Sequence, residues 1–126
     1  MATFKLNHMI FCDHVCETSG KVNMLGIFTT IWARQFPCQH PQFFIAISLS
    51  GQPNEHTFRL QFRDTSGNFI LPPTPELKFR CPEFGEANVN VRIDGLRIQK
   101  PGFVAVEVFV DGEKLGEKDL IANQTS

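Results

Sequence analysis

The sequence predicts an all-β protein, an antiparallel two-sheet β-sandwich of immunoglobulin-like or C2-like build with about seven to nine strands. Three observations carry this. Apolar residues recur with a period of two in one short segment after another, no segment sustains the 3.6-residue period of a helix, and a turn signal returns about every ten residues. A closed barrel is the alternative. The 126 residues, 42% of them hydrophobic, suit a single β-sandwich domain spanning 1–126 that buries roughly two thirds of its unfolded surface.

The strongest element is the last hairpin. Val104, Val106, Val108 and Val110 fall on one side of an extended chain, with Phe103, Ala105, Glu107 and Phe109 on the other. Asp111-Gly112 supplies the two positive-φ positions of a tight turn, and 113–121 returns alongside. A lone hairpin is marginal in water, so the valine face requires a second sheet to cover it.

From the N-terminus, Phe4, Leu6, His8, Ile10 and Cys12 alternate with Lys5, Asn7, Met9 and Phe11, so the first strand is apolar on both sides towards its end. His8 on such a face is expected as a packed, hydrogen-bonded residue. A polar turn over 17–21 leads to a strand over 22–31, with Gly26 as a bulge. Trp32 to Pro41 reads as an ordered crossing loop, because Pro37 and Pro41 interrupt any ladder.

Phe43, Ile45, Ile47 and Leu49 mark a central strand, and Phe58, Leu60 and Phe62 mark one with a wet face carrying Thr57, Arg59, Gln61 and Arg63. Asp64 to Gly67 turns the chain, and Pro72-Pro73-Thr74-Pro75 reads as extended polyproline. Leu77, Phe79 and Cys81 form a short strand ended by Pro82. Val89, Val91 and Ile93 keep odd parity whereas Leu96 and Ile98 are even, so the strand is expected to end near Ile93. Residues 122–126 read as a frayed tail.

The order Cys12-Asp13, Gly20-Lys21, Leu25-Gly26-Ile27-Phe28, Phe36-Pro37, His40-Pro41, Asp64 to Gly67, Pro101-Gly102-Phe103 and Asp111-Gly112 resembles a family of small, uncharacterised bacterial proteins across nearly the whole chain. The resemblance implies a β-sandwich domain of unknown function and no catalytic residues to carry over. Phe103 stands where a hydroxyl-bearing aromatic is expected, so a tyrosine-corner hydrogen bond is missing. The Cys12, His14, Cys16 cluster departs from the family pattern.

Composition narrows the function. Thirteen Phe, one Trp and no Tyr supply apolar area with few groups for polar recognition, which disfavours sugar binding. A net charge of −1 and a pI of about 6.4 give no basic footprint, so neither nucleic acid nor an anionic membrane is expected as a partner. No apolar run has the length of a signal peptide or membrane span, so a cytoplasmic protein is expected, with its four cysteines as free thiols.

The sharpest chemical pattern is Cys12-x-His14-x-Cys16 with Cys38-x-His40, since thiolates and imidazoles are the natural ligands of zinc. The spacings miss the usual C-x₂₋₄-C knuckle, so inert, half-buried residues are the competing reading. Cys38 with His40 or His14 as a nucleophile and base lacks an orienting third residue and an oxyanion loop. Asp13, Asp64, Asp94 and Asp111 beside turns could bind calcium in a C2-like manner, although Asp is also the ordinary turn former. Trp32, Phe36 and Pro37 near the proline loop, and the Arg59 and Arg63 row, are candidate interface residues. The expectation is therefore a non-catalytic module with no cofactor that binds a protein partner or a second copy of itself, with zinc binding through the Cys/His cluster as the alternative.

Overall fold

The computed structural model describes residues 4–125. It is all-β, with nine strands: β1 (Lys5–Thr18), β2 (Lys21–Phe28), β3 (Thr30–Ala33), β4 (Cys38–Ser50), β5 (Asn54–Arg63), β6 (Leu77–Cys81), β7 (Ala87–Ile98), β8 (Gly102–Val110) and β9 (Glu113–Gln124). They form a four-stranded sheet in the order β2-β1-β4-β7 and a five-stranded sheet in the order β3-β9-β8-β5-β6. Pairing is antiparallel except between β3 and β9. Both sheets retain edges, so the architecture is a sandwich and not a closed barrel. No helix among the described residues is long and apolar enough to cross a membrane.

Period-two alternation puts the valines of β8 inward, where Val106 and Val108 are fully buried. Facing them are Phe11 of β1 and Phe43, Ile45, Ile47 and Leu49 of β4, with Leu60, Phe62 and Leu120 completing the layer. Each such side chain contributes about 1.5–3 kcal/mol on leaving water. The hairpin turns are built as the sequence indicates: Ser19 and Gly20 join β1 to β2, and Asp111 and Gly112 join β8 to β9, all four with positive φ, the combination that matches the twist of paired strands.

Five expectations are corrected. The stretch expected as one strand over 22–31 is two, because after Thr29 the chain leaves the first sheet and β3 joins the second, where Ile31 is buried beside Ala122. Gly26 is no bulge, since the register runs unshifted from Cys12↔Ile27 to His14↔Leu25; a Cβ at this position would instead collide with the Asp13 carboxylate. Strand β7 does not end near Ile93 but continues to Ile98. Opposite it, β4 begins at Cys38 and incorporates Pro41, which was expected in the loop. Pairing holds at Gln42↔Asp94 and His40↔Leu96, and both strands exchange their inward parity between these pairs, where Gly95 takes φ +67°. Finally, 122–124 is no tail: β9 runs to Gln124 and Ala122 is buried. Ser126 lies outside the described residues.

The proline segment extends beside β5 past the end of β6. Ile70 N–H donates to Phe62 O at 3.1 Å and Thr74 N–H to Leu60 O at 3.0 Å, while Leu60 N–H donates to Thr74 Oγ1 at 2.8 Å. A segment unable to form a full ladder thus satisfies the exposed rim of a core strand.

At the opposite end, His56 clamps the last hairpin. Its Nδ1 lies 2.7 Å from Asp111 Oδ2 and its Nε2 lies 3.1 Å from Gln52 O. Both nitrogens face acceptors, which suits the imidazolium, whose two N–H groups both donate. Burial alone would push His56 down, but the Asp111 carboxylate and the backbone carbonyls outweigh it and raise its pKa above the ordinary 6.5.

Val106→Asp is expected to cost more than about 3 kcal/mol, because it places an unpaired charge in the core; an unchanged urea midpoint would contradict the inward placement of β8. The raised His56 pKa makes its stabilising contribution full below the unfolded-state value and lost as pH rises through the folded one. Chemical denaturation across about pH 6 to 8 should show that decline in the wild type and not in His56→Gln.

Candidate functional site

The Cys/His pattern does not converge. On β1, Cys12 turns to the outer side of the four-stranded sheet and is buried with Val15 and Ala46. Its Sγ lies 3.9 Å from Phe44 O. Burial, with the nearby Asp13 charge, raises the Cys12 pKa, so the thiol is protonated at neutral pH. His14 and Cys16 are exposed, with the His14 ring edge-on to Phe44 at 5.7 Å.

His40 packs on the other side of the sheet. Its ring lies 5.4 Å from those of Phe28 and Phe43, both part of or against the main core. Burial lowers its pKa, only partly offset by Asp13, so the ring is neutral. Nε2 is buried without a hydrogen-bond partner. A sheet separates Cys12 from His40, and among the described residues no three His, Cys, Asp or Glu side chains are grouped to hold a metal. The zinc set Cys12, His14, Cys16, Cys38 and His40 is therefore not assembled. Nor is Cys38 an activated nucleophile, because burial raises its pKa and a reactive thiol requires the opposite shift.

The four aspartates are also dispersed. Asp13 lies in mid-strand opposite Gly26. Asp64 accepts from the backbone N–H of Ser66 at 2.9 Å and of Asn68 at 3.0 Å. Asp94 pairs with Arg92 at 3.1 Å, and Asp111 accepts from Thr57 N–H at 3.1 Å. Asp64 caps its own turn, Asp94 pairs within its own strand, and Asp111 ties the last hairpin to β5.

What the fold does bring together is the outer face of the five-stranded sheet. Arg59 and Arg63 project there from β5, as their alternation indicates, and meet Glu107 and Phe109 of β8. Arg63 Nε donates to Glu107 Oε1 at 2.9 Å, and Lys114 Nζ lies 3.0 Å from Glu107 Oε2. Burial pushes the Glu107 carboxyl up, but its bonds from Lys114 and Arg63 prevail and hold it below the usual value. Arg59 stacks over the Phe109 ring at 4.1 Å and Arg63 over Phe69 at 4.3 Å.

Beside this charged centre runs an apolar strip. Trp32 pairs with Asn123, and Thr30 with Ile121, across the parallel β3–β9 contact; Ile121 pairs with Phe103 of β8; and Phe69 bridges Arg63. Trp32 is 63% exposed, Phe69 48%, Phe103 44% and Ile121 39%. Of the other interface candidates, Phe36 packs against the core and Pro37, after a cis peptide bond, is exposed. Sequence reasoning missed Phe103, Phe69 and Ile121 as surface residues. Alternation with buried neighbours carried the signal for Phe103 and Ile121, but their distance from Trp32 along the chain concealed the grouping. A cavity of about 40 Å³ opens beside Phe103, lined in part by Thr65, Lys100 and Pro101; it is far smaller than an ordinary ligand pocket.

A family model, described as a family of unknown function (DUF6941), matches residues 7–123. No curated protein matches the chain. Among solved structures, the alkylpurine DNA glycosylase AlkC of Pseudomonas fluorescens, bound to DNA containing an abasic site analog, is similar with a TM-score of 0.57 at 14% identity, the match covering 97% of this chain and 31% of that one. The chain thus spans about a third of that protein's length, and at this identity the likeness establishes the fold. It also corrects two expectations. A module for protein partners or self-association, with nucleic acid set aside on net charge, is overturned by a shared fold in a DNA-bound protein.

Since the Cys and His side chains lie apart, chelator should leave the melting temperature unchanged, and Cys12→Ser should cost only about 1–2 kcal/mol, from burying a hydroxyl. A fall of several degrees on adding chelator to wild type, absent in Cys12→Ser, would overturn this placement.

Proposed function

We propose that this chain, which belongs to the DUF6941 family of unknown function, is a non-catalytic β-sandwich module that associates with DNA. One observation carries the reading: 97% of the chain matches part of a protein whose solved structure is bound to DNA. The non-catalytic part is supported by the chemistry of the site. The thiols of Cys12 and Cys38 are shifted away from reactivity, His40 is neutral and lies across the sheet from Cys12, and the aspartates lie in separate places. More than two thirds of the glycosylase has no counterpart in this chain, so its activity is not carried over. All four cysteines are free, which suits the reducing cytoplasm proposed for the protein.

Net charge describes the whole molecule, whereas association depends on the charge and shape of one surface. With a net charge of −1 the module releases few counterions, so its affinity for DNA is modest and depends on local contacts. Fluorescence anisotropy with labelled duplex, duplex containing an abasic site analogue, and single-stranded oligonucleotide is expected to show saturable binding to at least one of them, weakening as salt is raised. No change on any of the three at low salt and high protein concentration would refute DNA association.

A further inference from the structure

Resting on that reading, we infer that the outer strip formed by Trp32, Ile121, Phe103 and Phe69 is a stacking platform for unpaired bases of single-stranded DNA. Neighbouring strands lie about 4.8 Å apart, so side chains contributed by β3, β9 and β8 on one face form a continuous surface. Three of its four members are aromatic, and all are more than a third exposed. A surface that leaves its single Trp and two Phe in one row offers aromatic area to solvent, with Arg63 stacked on one face of Phe69. Unpaired bases have matching faces, whereas a duplex hides them in its stack and offers edges and phosphates.

The charges around the strip fit the sugar–phosphate chain of such a ligand. Arg34 follows Trp32 by two residues, and Lys100 precedes Phe103 by three. Both are exposed and form no ion pair among the described residues. Arg63 is held over Phe69 while bound to Glu107, and its Nη1 donates to Gly67 O at 3.0 Å, which fixes a guanidinium plane at the third side. Against them stands Asp119, exposed on β9 and paired with Ala105. Asp64, near the same end, is occupied by the backbone N–H groups of its own turn. The arrangement is an apolar row with cations at its margins and Asp119 and Asp64 among them, the pattern of a base-stacking groove rather than of a phosphate-reading face.

Trp32 is the chain's only tryptophan, so its emission reports on the strip directly. The test titrates an oligothymidylate into the protein and follows Trp32 fluorescence beside the anisotropy of the same labelled strand. Quenching and anisotropy should saturate together, and Trp32→Ala and Phe103→Ala should each weaken binding by about 5- to 100-fold. Asp119→Asn should tighten it, a hairpin duplex of equal length should bind less well, and three cations imply a log–log salt slope of about −2. Both alanine substitutions remove exposed side chains, and unchanged melting would confirm that they act on binding.

If anisotropy reports binding while Trp32 emission is unmoved and both alanine variants bind like wild type, the strip is not the platform although DNA association stands. No anisotropy change on any DNA removes the underlying reading itself. Tighter binding of RNA of matching sequence would overturn the choice of DNA.

Discussion

Burial of one face of β8 is the constraint on which the rest depends. Val104, Val106, Val108 and Val110 lose nearly all contact with water, and they can do so only if the β1–β4–β7 layer covers them. Because a strand has just two faces, fixing the valines inward also fixes Phe103, Ala105, Glu107 and Phe109 outward. The site is therefore a by-product of core register. A one-residue slip would bury Glu107 between the sheets and expose the valines, so the same hydrophobic term that holds the sandwich together holds the outer face in place.

Glu107 shows how that outer face is kept soluble and rigid. It is nearly buried even there, and a lone carboxylate in such a place would be costly. Arg63 and Lys114 reach it from two strands, and Gln61 Nε2 lies 3.4 Å away. Arg63 and Lys114 are themselves partly exposed, so solvent screens the pairs and their worth to stability is small. Their geometric effect is larger, since a guanidinium tied to Glu107 and to Gly67 O has few ways to move. Arg63 and Phe69 are thereby presented as a fixed pair at one end of the strip, and β3 supplies Trp32 at the other.

The final hairpin was legible because its signals are local: four alternating valines and an Asp-Gly turn specify strand, face and return. The same logic located the core of β4, short β6 and the outward face of β5, although that face is not wet, since Gln61 on it is buried. It failed where two strands changed together. Parity breaks at Asp94-Gly95 when β7 is read alone, but β4 changes its inward parity beside Pro41, and the ladder resumes in unshifted register on both sides. No single-strand pattern records a compensated switch of this kind. The split of 22–31 was hidden for a related reason, since residues on either side of Thr29 alternate equally well and only the other sheet's demand for Ile31 separates them. The Cys/His pattern misled by the opposite route. Cys12, His14 and Cys16 alternate in the sequence, but Cys12 is buried with Val15 while His14 and Cys16 are exposed, and the strand carrying His40 presents it to the other layer. Trp32 and Arg63 were singled out separately; their common face follows from the β3-β9-β8-β5 order, which includes a parallel contact between distant segments.

Net charge alone is a poor ground for excluding nucleic acid. A net charge of −1 measures the long-range field, and that field governs steering and non-specific attraction to duplex phosphates. It does not measure the short-range term that ring stacking supplies, which needs exposed flat side chains and tolerates a neutral surround. Of the carboxylates near the strip, Glu107 is bound by Arg63 and Lys114 and Asp64 by its own turn, while Asp119 stays exposed. The cations at the margin, Arg34 and Lys100, form no ion pair among the described residues. A chain of net charge −1 therefore still presents an aromatic row at one end of one sheet, and it is at that scale, rather than at the scale of the whole chain, that the proposed affinity for a single strand would be decided.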